Sequence, residues 1–327
     1  MLHFKTASYS DSEIQNGLFK PGIMKKLFIV IFLIAGAVAH AQQNAMFSQY
    51  MFNKLVINPA YAGSREVLTF DLLNRYQWVG IEGAPRTLTF SGHAPLKNAN
   101  MGLGFYAYSD VLGPSSDQGF MGTYAYRIKM NYGTLAFGLH AGFSHIDIDW
   151  NKLDMDDPAV TLQGQGKTKF TPDASLGVFY STNRFYGGVS STQLLQNEYG
   201  MTVNNGSSTY SKLMRHFFVM GGYAHPINES VIFRPSFLLK FVDNAPMQFE
   251  LDANFLFKNT IWLGAAYRSK EALVLLTELN IGHNLRIGYS YDIWFNDLMT
   301  YNKGSHEIHI GFDINLMKGR MQNPRYF

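Results

Sequence analysis

From about residue 66 to residue 316 the chain repeats one pattern, an apolar residue followed by a small or polar one, and no apolar run there approaches the length of a spanning helix. A period of two puts successive side chains on opposite faces of a β-strand. Over 132–144, Leu135, Phe137, Leu139 and Phe143 share one face, while Thr134, Gly138, His140 and Ser144 share the other. Over 248–257, Phe249, Leu251, Phe255 and Phe257 alternate with Gln248, Glu250, Asp252 and Asn254. The same rule holds for Leu285, Ile287, Tyr289 and Tyr291 against Arg286, Ser290 and Asp292, and for Ile308, Ile310 and Phe312 against Glu307, His309 and Asp313. Charges spaced this regularly in a strand must face water or one another, and the oily faces between them need lipid or a core.

Applied along the chain, the rule predicts strands near 66–76, 86–94, 100–109, 119–129, 132–144, 172–181, 184–190, 213–223, 230–240, 246–256, 259–267, 271–280, 284–292 and 305–316, about fourteen in all. Short turns at Asn131-Tyr132-Gly133, Thr182-Asn183 and Asn259 join neighbours. The pattern therefore predicts an all-β fold, a transmembrane antiparallel β-barrel of up-and-down topology. Longer loops near 109–118, 145–171, 191–212 and 293–304 are expected to cluster at one rim, with Asn204-Asn205-Gly206-Ser207-Ser208 as a loop tip. A closed wall of about fourteen strands has a backbone diameter on the order of 28 Å, enough for a plug or a channel.

The inward face carries Arg75, Arg127, Arg234, Lys240, Glu250, Asp252, Arg268, Glu278, Arg286, Asp292, Glu307 and Asp313. Both signs occur in similar numbers, which predicts a salt-bridge network stiffening the wall; a selective ion pore more often shows one sign. Tyr76, Trp78, Tyr106, Tyr108, Tyr124, Tyr126, Trp262, Tyr289 and Tyr291 are expected in interfacial girdles.

Upstream, Met24-Lys25-Lys26, an apolar run over 27–38 and Ala39-His40-Ala41 form the three regions of a secretory signal peptide. The expected organisation is a mis-called leader over 1–23, the signal peptide over 24–41, an N-terminal periplasmic or plug segment over 42–64, and the barrel over 65–327. The apolar run, about 12 residues long, is too short to span a bilayer as a helix. The sequence has no cysteine, which excludes disulfides, thiolate metal sites and a lipidated N-terminal Cys. A formal net charge of +3 gives no basis for nucleic-acid binding.

Catalytic and metal chemistry finds little purchase. His140 and His145 are five residues apart and point to opposite faces of a strand, so they cannot share a metal. Asp147, Asp149, Asp154, Asp156 and Asp157 surround Trp150 but lack the glycine and final glutamate of a calcium loop. His93, His216, His225 and His283 carry no flanking motif of a hydrolase. Glycines at 102, 104, 133, 138, 142, 187, 188, 221 and 222 never form a phosphate-cradling loop and read as kinks and close-packing sites in a curved wall. No cofactor is expected.

The most distinctive stretch follows the signal peptide: Phe47-Ser48-Gln49-Tyr50-Met51-Phe52-Asn53, then Asn58-Pro59-Ala60-Tyr61-Ala62-Gly63-Ser64. Pro59 fixes its own φ and pushes Asn58 towards an extended or turn geometry, so the segment can bend sharply. The two strings are followed by Arg75-Tyr76-Gln77-Trp78-Val79-Gly80, by Gly83-Ala84-Pro85-Arg86-Thr87 running into Ser91-Gly92-His93, and by a Pro324-Arg325-Tyr326-Phe327 end. With these motifs in this order the chain resembles the PorP/SprF family of Bacteroidetes outer-membrane proteins, linked to type IX secretion and gliding motility.

The resemblance implies a non-enzymatic outer-membrane component of the secretion or gliding machinery. Its implied partners are a periplasmic ring lipoprotein with its peptidoglycan-binding companion, or the C-terminal domain of a large secreted adhesin. The residues expected to fill the lumen or meet a partner are Phe47, Gln49, Tyr50, Phe52, Asn53, Asn58, Pro59 and Tyr61, with Gln77, Trp78 and Pro85 in the loop after the first strand. An exposed Trp78 beside Gly and Pro would suit an interaction anchor. The alternative is an outer-membrane channel or hydrophobic-solute transporter of the fatty-acid type.

Overall fold

The computed structural model describes residues 47–96, 100–149, 169–202, 208–243, 245–282 and 284–315. The expected leader, the signal peptide, Met46, Trp150, Asp154, Asp156, Asp157, the 204–207 loop tip, His283 and the Pro-Arg-Tyr-Phe end lie outside these residues.

Seventeen strands are present among them: β1 (Leu68–Tyr76), β2 (Arg86–Pro95), β3 (Met101–Leu112), β4 (Ser115–Met130), β5 (Gly133–Ile148), β6 (Lys169–Ser181), β7 (Phe185–Thr192), β8 (Glu198–Thr202), β9 (Ser208–Lys212), β10 (His216–Tyr223), β11 (His225–Asn228), β12 (Val231–Val242), β13 (Gln248–Phe257), β14 (Ile261–Arg268), β15 (Ala272–Ile281), β16 (Leu285–Trp294) and β17 (Ser305–Ile314). β8 and β9 form a separate hairpin inside one loop, and β11 continues β10 along β12 in the same register, with an irregularity between Pro226 and Asn228. The rest make one antiparallel ring, because β1 pairs with both β2 and β17, and β10 pairs with both β7 and β12. The result is a closed fourteen-stranded barrel, which leaves no free sheet edge in lipid.

Alternation along each strand sorts the side chains as the sequence predicts. In β13 the run from Glu250 to Asn254 reads buried, exposed, buried, exposed, buried. All twelve expected inward charges are buried. Outside, large apolar residues such as Leu88, Leu139, Leu251, Leu275 and Ile310 stay more than 40% exposed, a surface that only lipid would cover. A belt of phenylalanines, Phe70, Phe90, Phe105, Phe120, Phe143 and Phe170, crosses the first six strands with neighbouring ring centroids 4.3–6.3 Å apart.

The connections alternate between two rims. One carries the short turns after β2, β4, β6, β13 and β15; at Lys258 and Asn259 the turn uses two successive positive φ angles, 46° and 54°, which match the twist of a tight hairpin. The other carries 77–85 and 295–304 and the strand ends Ile148, Lys169, Thr192 and His216, so the ends that flank the long loops do cluster. In bacterial barrels the short turns face the periplasm and the long loops the exterior.

Four expectations need correction. The predicted 109–118 loop is a turn of two residues, Gly113 and Pro114, because β3 and β4 continue in register to Leu112 and Ser115. Its polar residues lie in strand above the apolar band rather than in a loop. Trp262, Tyr106 and Tyr108 are not girdle residues: Trp262 and Tyr106 are buried inside the ring, on the face set by their strand parity, and Tyr108 shares the inward parity of Tyr106.

Candidate functional site

The lumen holds the N-terminal segment. Residues 47–66 contain too few residues of one period to make a strand or a long helix, and they fold as turns and two 3-10 turns, Lys54–Val56 and Pro59–Tyr61. Asn58 caps the second: its side-chain oxygen accepts from the Ala60 N–H at 3.0 Å, and Pro59 occupies the first turn, where an N–H is not needed.

One wall of the barrel makes room for this turn by having no side chains. A Cβ on Gly138 would overlap the Ala60 nitrogen and the Pro59 carbonyl carbon; one on Gly177 would overlap the Asn58 amide, and one on Gly102 the Ala62 carbonyl. Seated there, Asn58 Nδ2 donates to the carbonyls of Val178 (3.0 Å) and Val189 (3.3 Å). The segment's other backbone groups find wall partners too. Ser190 Oγ donates to Ile57 O (2.8 Å), Arg127 Nη1 donates to Gly63 O (2.6 Å), and the Gly63 N–H donates to His93 Nδ1 (3.1 Å). His140 Nε2 donates to Leu55 O (3.0 Å), which fixes the tautomer in which Nδ1 accepts from Thr123.

The opposite wall is charged, and its ionic groups form two clusters. The first lies at the loop-rich end of β1, β13, β14, β16 and β17 and closes around Ser48. Ser48 Oγ donates to Asp292 (2.7 Å) and accepts from Arg75 (2.6 Å) and Arg268 (3.2 Å), using its one donor and both lone pairs. Arg75 also pairs with Asp292 (2.7 Å) and Glu307 (3.2 Å), and Arg268 with Glu250 (2.6 Å) and Asp292 (3.3 Å). Glu307 receives the N–H groups of Ser48 and Gln49 at 2.8 and 2.7 Å. The Tyr50 hydroxyl donates to Asp252 (2.7 Å), and burial first, then the Asp252 charge, pushes the Tyr50 phenol well above its ordinary range.

The second cluster lies nearer the turn-rich end. Asp71 accepts from Arg286 (2.8 Å) and meets His309 Nε2 (3.0 Å), whose Nδ1 faces Glu278 (3.0 Å), an arrangement that a doubly protonated ring satisfies in full. Asp313 accepts from Arg65 (3.0 Å) and Thr69 (2.9 Å). Burial opposes the Arg65 charge, but Asp313, Tyr61, Asp71 and Glu278 together outweigh it and raise the guanidinium above its usual value. With Ser48 bound at one end and Arg65 at the other, the segment runs lengthwise through the bore.

Between the two clusters, Arg234 stacks over Trp262 at 4.1 Å and Phe52 at 5.0 Å. Lys54 is fully buried, donates to Met51 O (2.6 Å) and lies 4.8 Å from the Tyr186 ring and 5.3 Å from the Tyr61 ring. Desolvation, aided by Arg234, holds its ammonium pKa well below the ordinary lysine value.

Of the expected site residues, Gln49, Tyr50, Phe52, Asn53, Asn58, Pro59 and Tyr61 are buried in the lumen, with Phe47 half-buried beside them. Gln77, Trp78 and Pro85 lie apart, in the loop at the far end of β1, which the Gln77 N–H closes by donating to Pro85 O (3.0 Å). Trp78 is half-buried rather than exposed; its ring meets Trp294 edge-on at 5.6 Å and its backbone N–H donates to Ser305 Oγ (3.0 Å). Sequence reading passed over Ser48, Lys54 and Asp71. Asp71 shares the strand parity of Arg75, a signal that was there to find, whereas nothing local marks Ser48 or Lys54 as the centre of a long-range contact. Among the described residues no group of three or more His, Asp or Glu side chains converges as a metal set.

A family model described as "Type IX secretion system membrane protein PorP/SprF" matches residues 39–312. No curated protein matches the chain. Among solved structures, the outer-membrane protein Omp33 of Acinetobacter baumannii is 10% identical, with 76% of this chain and 100% of that chain covered and a TM-score of 0.44. The toluene transporter TodX of Pseudomonas putida is 10% identical over 83% of this chain and 95% of its own, with a TM-score of 0.46. The monoaromatic hydrocarbon channel CymD is 9% identical over 84% and 94%, with a TM-score of 0.45.

Proposed function

The chain belongs to the PorP/SprF family of type IX secretion system membrane proteins, and from that premise we propose that it is a non-catalytic anchor of the secretion or gliding apparatus whose bore is closed by its own N-terminal segment. It is an outer-membrane barrel that works alongside other parts of that machinery. The proposed partners are a periplasmic ring lipoprotein with its peptidoglycan-binding companion, or the C-terminal domain of a secreted adhesin.

The observation that carries this reading is the double attachment of the lumenal segment. Ser48 saturates its hydroxyl on the charged wall, and Asn58 is seated on the glycine wall. A diffusion channel would have to break both attachments and leave Asp292 and Glu307 without their backbone and hydroxyl donors. With the lumen filled, the surfaces left for a partner are the two rims, one of which presents Gln77, Trp78 and Pro85. The domain boundaries at 23, 41 and 64 remain part of this proposal.

Affinity purification of the tagged protein from native outer membranes in mild detergent, followed by mass spectrometry, tests it. Co-purification of ring lipoproteins supports the machinery role, and of one large surface protein the cargo role. A barrel recovered alone, with steady conductance in planar bilayers, would favour the hydrophobic-solute channel.

A further inference from the structure

A cavity of about 110 Å³ lies between the N-terminal segment and the β2–β10 wall. Thr87, Asp110, Asp117, Asp173 and Thr192 line it from the loop-rich ends of their strands, with Leu213 just before β10, so it faces the rim of long loops. Its floor is apolar and aromatic, with Phe47, Ile57, Tyr106, Met121, Phe218 and Leu238.

The charge here is unlike that of the rest of the lumen. Asp110 and Asp117 are direct cross-strand partners on the inward face of β3 and β4, an arrangement in which like charges repel. Asp110 accepts from Thr87 Oγ1 (2.6 Å), Asp117 from the Tyr108 hydroxyl (3.3 Å) and Asp173 from the Leu195 N–H (3.5 Å). No Lys or Arg lines the cavity, and among the described residues none of the three carboxylates has an ion pair, whereas Asp71, Glu250, Asp292, Glu307 and Asp313 on the opposite wall each meet an arginine. Two further lining groups, Thr89 Oγ1 and Thr192 Oγ1, lie on residues more than nine-tenths buried and have no hydrogen-bond partner. Buried acceptors left open beside an uncompensated carboxylate pair call for a donor that carries positive charge.

We propose that this cavity receives one lysine or arginine side chain of a polypeptide presented at the loop-rich rim, its apolar stem on Tyr106, Met121 and Phe218 and its charged head between Asp110 and Asp117. The volume suits a single side-chain head and stem, and the mixture of oily floor and acidic mouth matches the two ends of such a chain. The proposal rests on the anchoring role above and gives it a point of recognition.

Isothermal titration of the full-length protein in detergent with the tripeptide Ac-Leu-Lys-Leu-NH₂ is the experiment. Binding is expected, weakened about tenfold or more when the lysine is Nε-acetylated and by the same margin in an Asp110→Asn/Asp117→Asn double variant. Both substitutions relieve repulsion, so the barrel should fold; heat-modified mobility on gels checks this. Asp117→Lys supplies a resident ammonium and is expected to abolish binding. No binding, equal binding of the acetylated peptide, or equally tight binding of free butylammonium or of calcium would overturn the proposal. A wild-type protein that still recovers secretion components but ignores the peptide defeats this inference alone, whereas failure to recover any component defeats the anchoring role.

Discussion

The Ala60 backbone nitrogen lies where a Cβ on Gly138 would stand, so the position that lets the N-terminal turn sit against the wall is a strand residue 78 positions later whose only contribution is to have no side chain. Gly138→Leu should therefore leave the barrel closed and displace the turn, at a cost of about 1–3 kcal/mol of overpacking. Limited proteolysis checks it: cleavage in 47–64 is expected to rise in the variant while the strands stay protected. An unchanged pattern would mean that the wall, not the segment, gives way.

Arg75 is the hub of the other attachment, touching Ser48, Asp292 and Glu307 at once. Arg75→Ala leaves two buried carboxylates without their main partner, and about 3–5 kcal/mol of stability should go with it. Arg75→Lys should restore only part of this, since one ammonium cannot reproduce the two-armed geometry. Urea midpoints of the refolded barrel, compared across wild type, Ala and Lys variants, give the ranking.

Removal of 42–64 should turn a silent barrel into a conducting one. Planar-bilayer recordings of the deleted and intact proteins are the measurement, and large steady conductance from the intact protein would sink the closed-bore reading. The deletion should also lower stability, because Asp292, Glu307 and Asp252 lose donors from Ser48, Gln49 and Tyr50.

Burial of Lys54 contributes a pH dependence whose sign can be worked out. Its pKa in the folded state lies well below its ordinary value of 10.5, so between the two values the unfolded chain binds more protons than the folded one. Stability should therefore rise with pH through that window and level off above about 10.5. Tyr50, whose pKa is raised, acts in the opposite direction above its ordinary 10.0, so the comparison belongs below that pH. Urea midpoints measured from about pH 8 to 10 should climb for the wild type relative to Lys54→Met, which has no charge to desolvate.

Much of this was legible in the strand period. Glu250, Asp252 and Asn254 declared an inward face by alternating with Leu251, Ala253 and Phe255, and the same test placed all twelve inward charges correctly. Residue type misleads where it competes with parity: Trp262 has the composition of a lipid girdle but an inward position, and Asp110 and Asp117 resemble loop residues because polar strand ends look like loops.

The closed antiparallel wall follows from residue order alone, because a period-two pattern in lipid has one way to satisfy every backbone group and bury every charge. What fills the wall is set by the folded geometry. The contacts of Ser48 with Arg75 and Asp292, of Asn58 with Val178, and of Ala60 with Gly138 join residues tens to hundreds of positions apart. No local pattern encodes them, since each depends on the register and stagger by which the ring closes and brings a bare glycine or a paired arginine to the same depth of the bore.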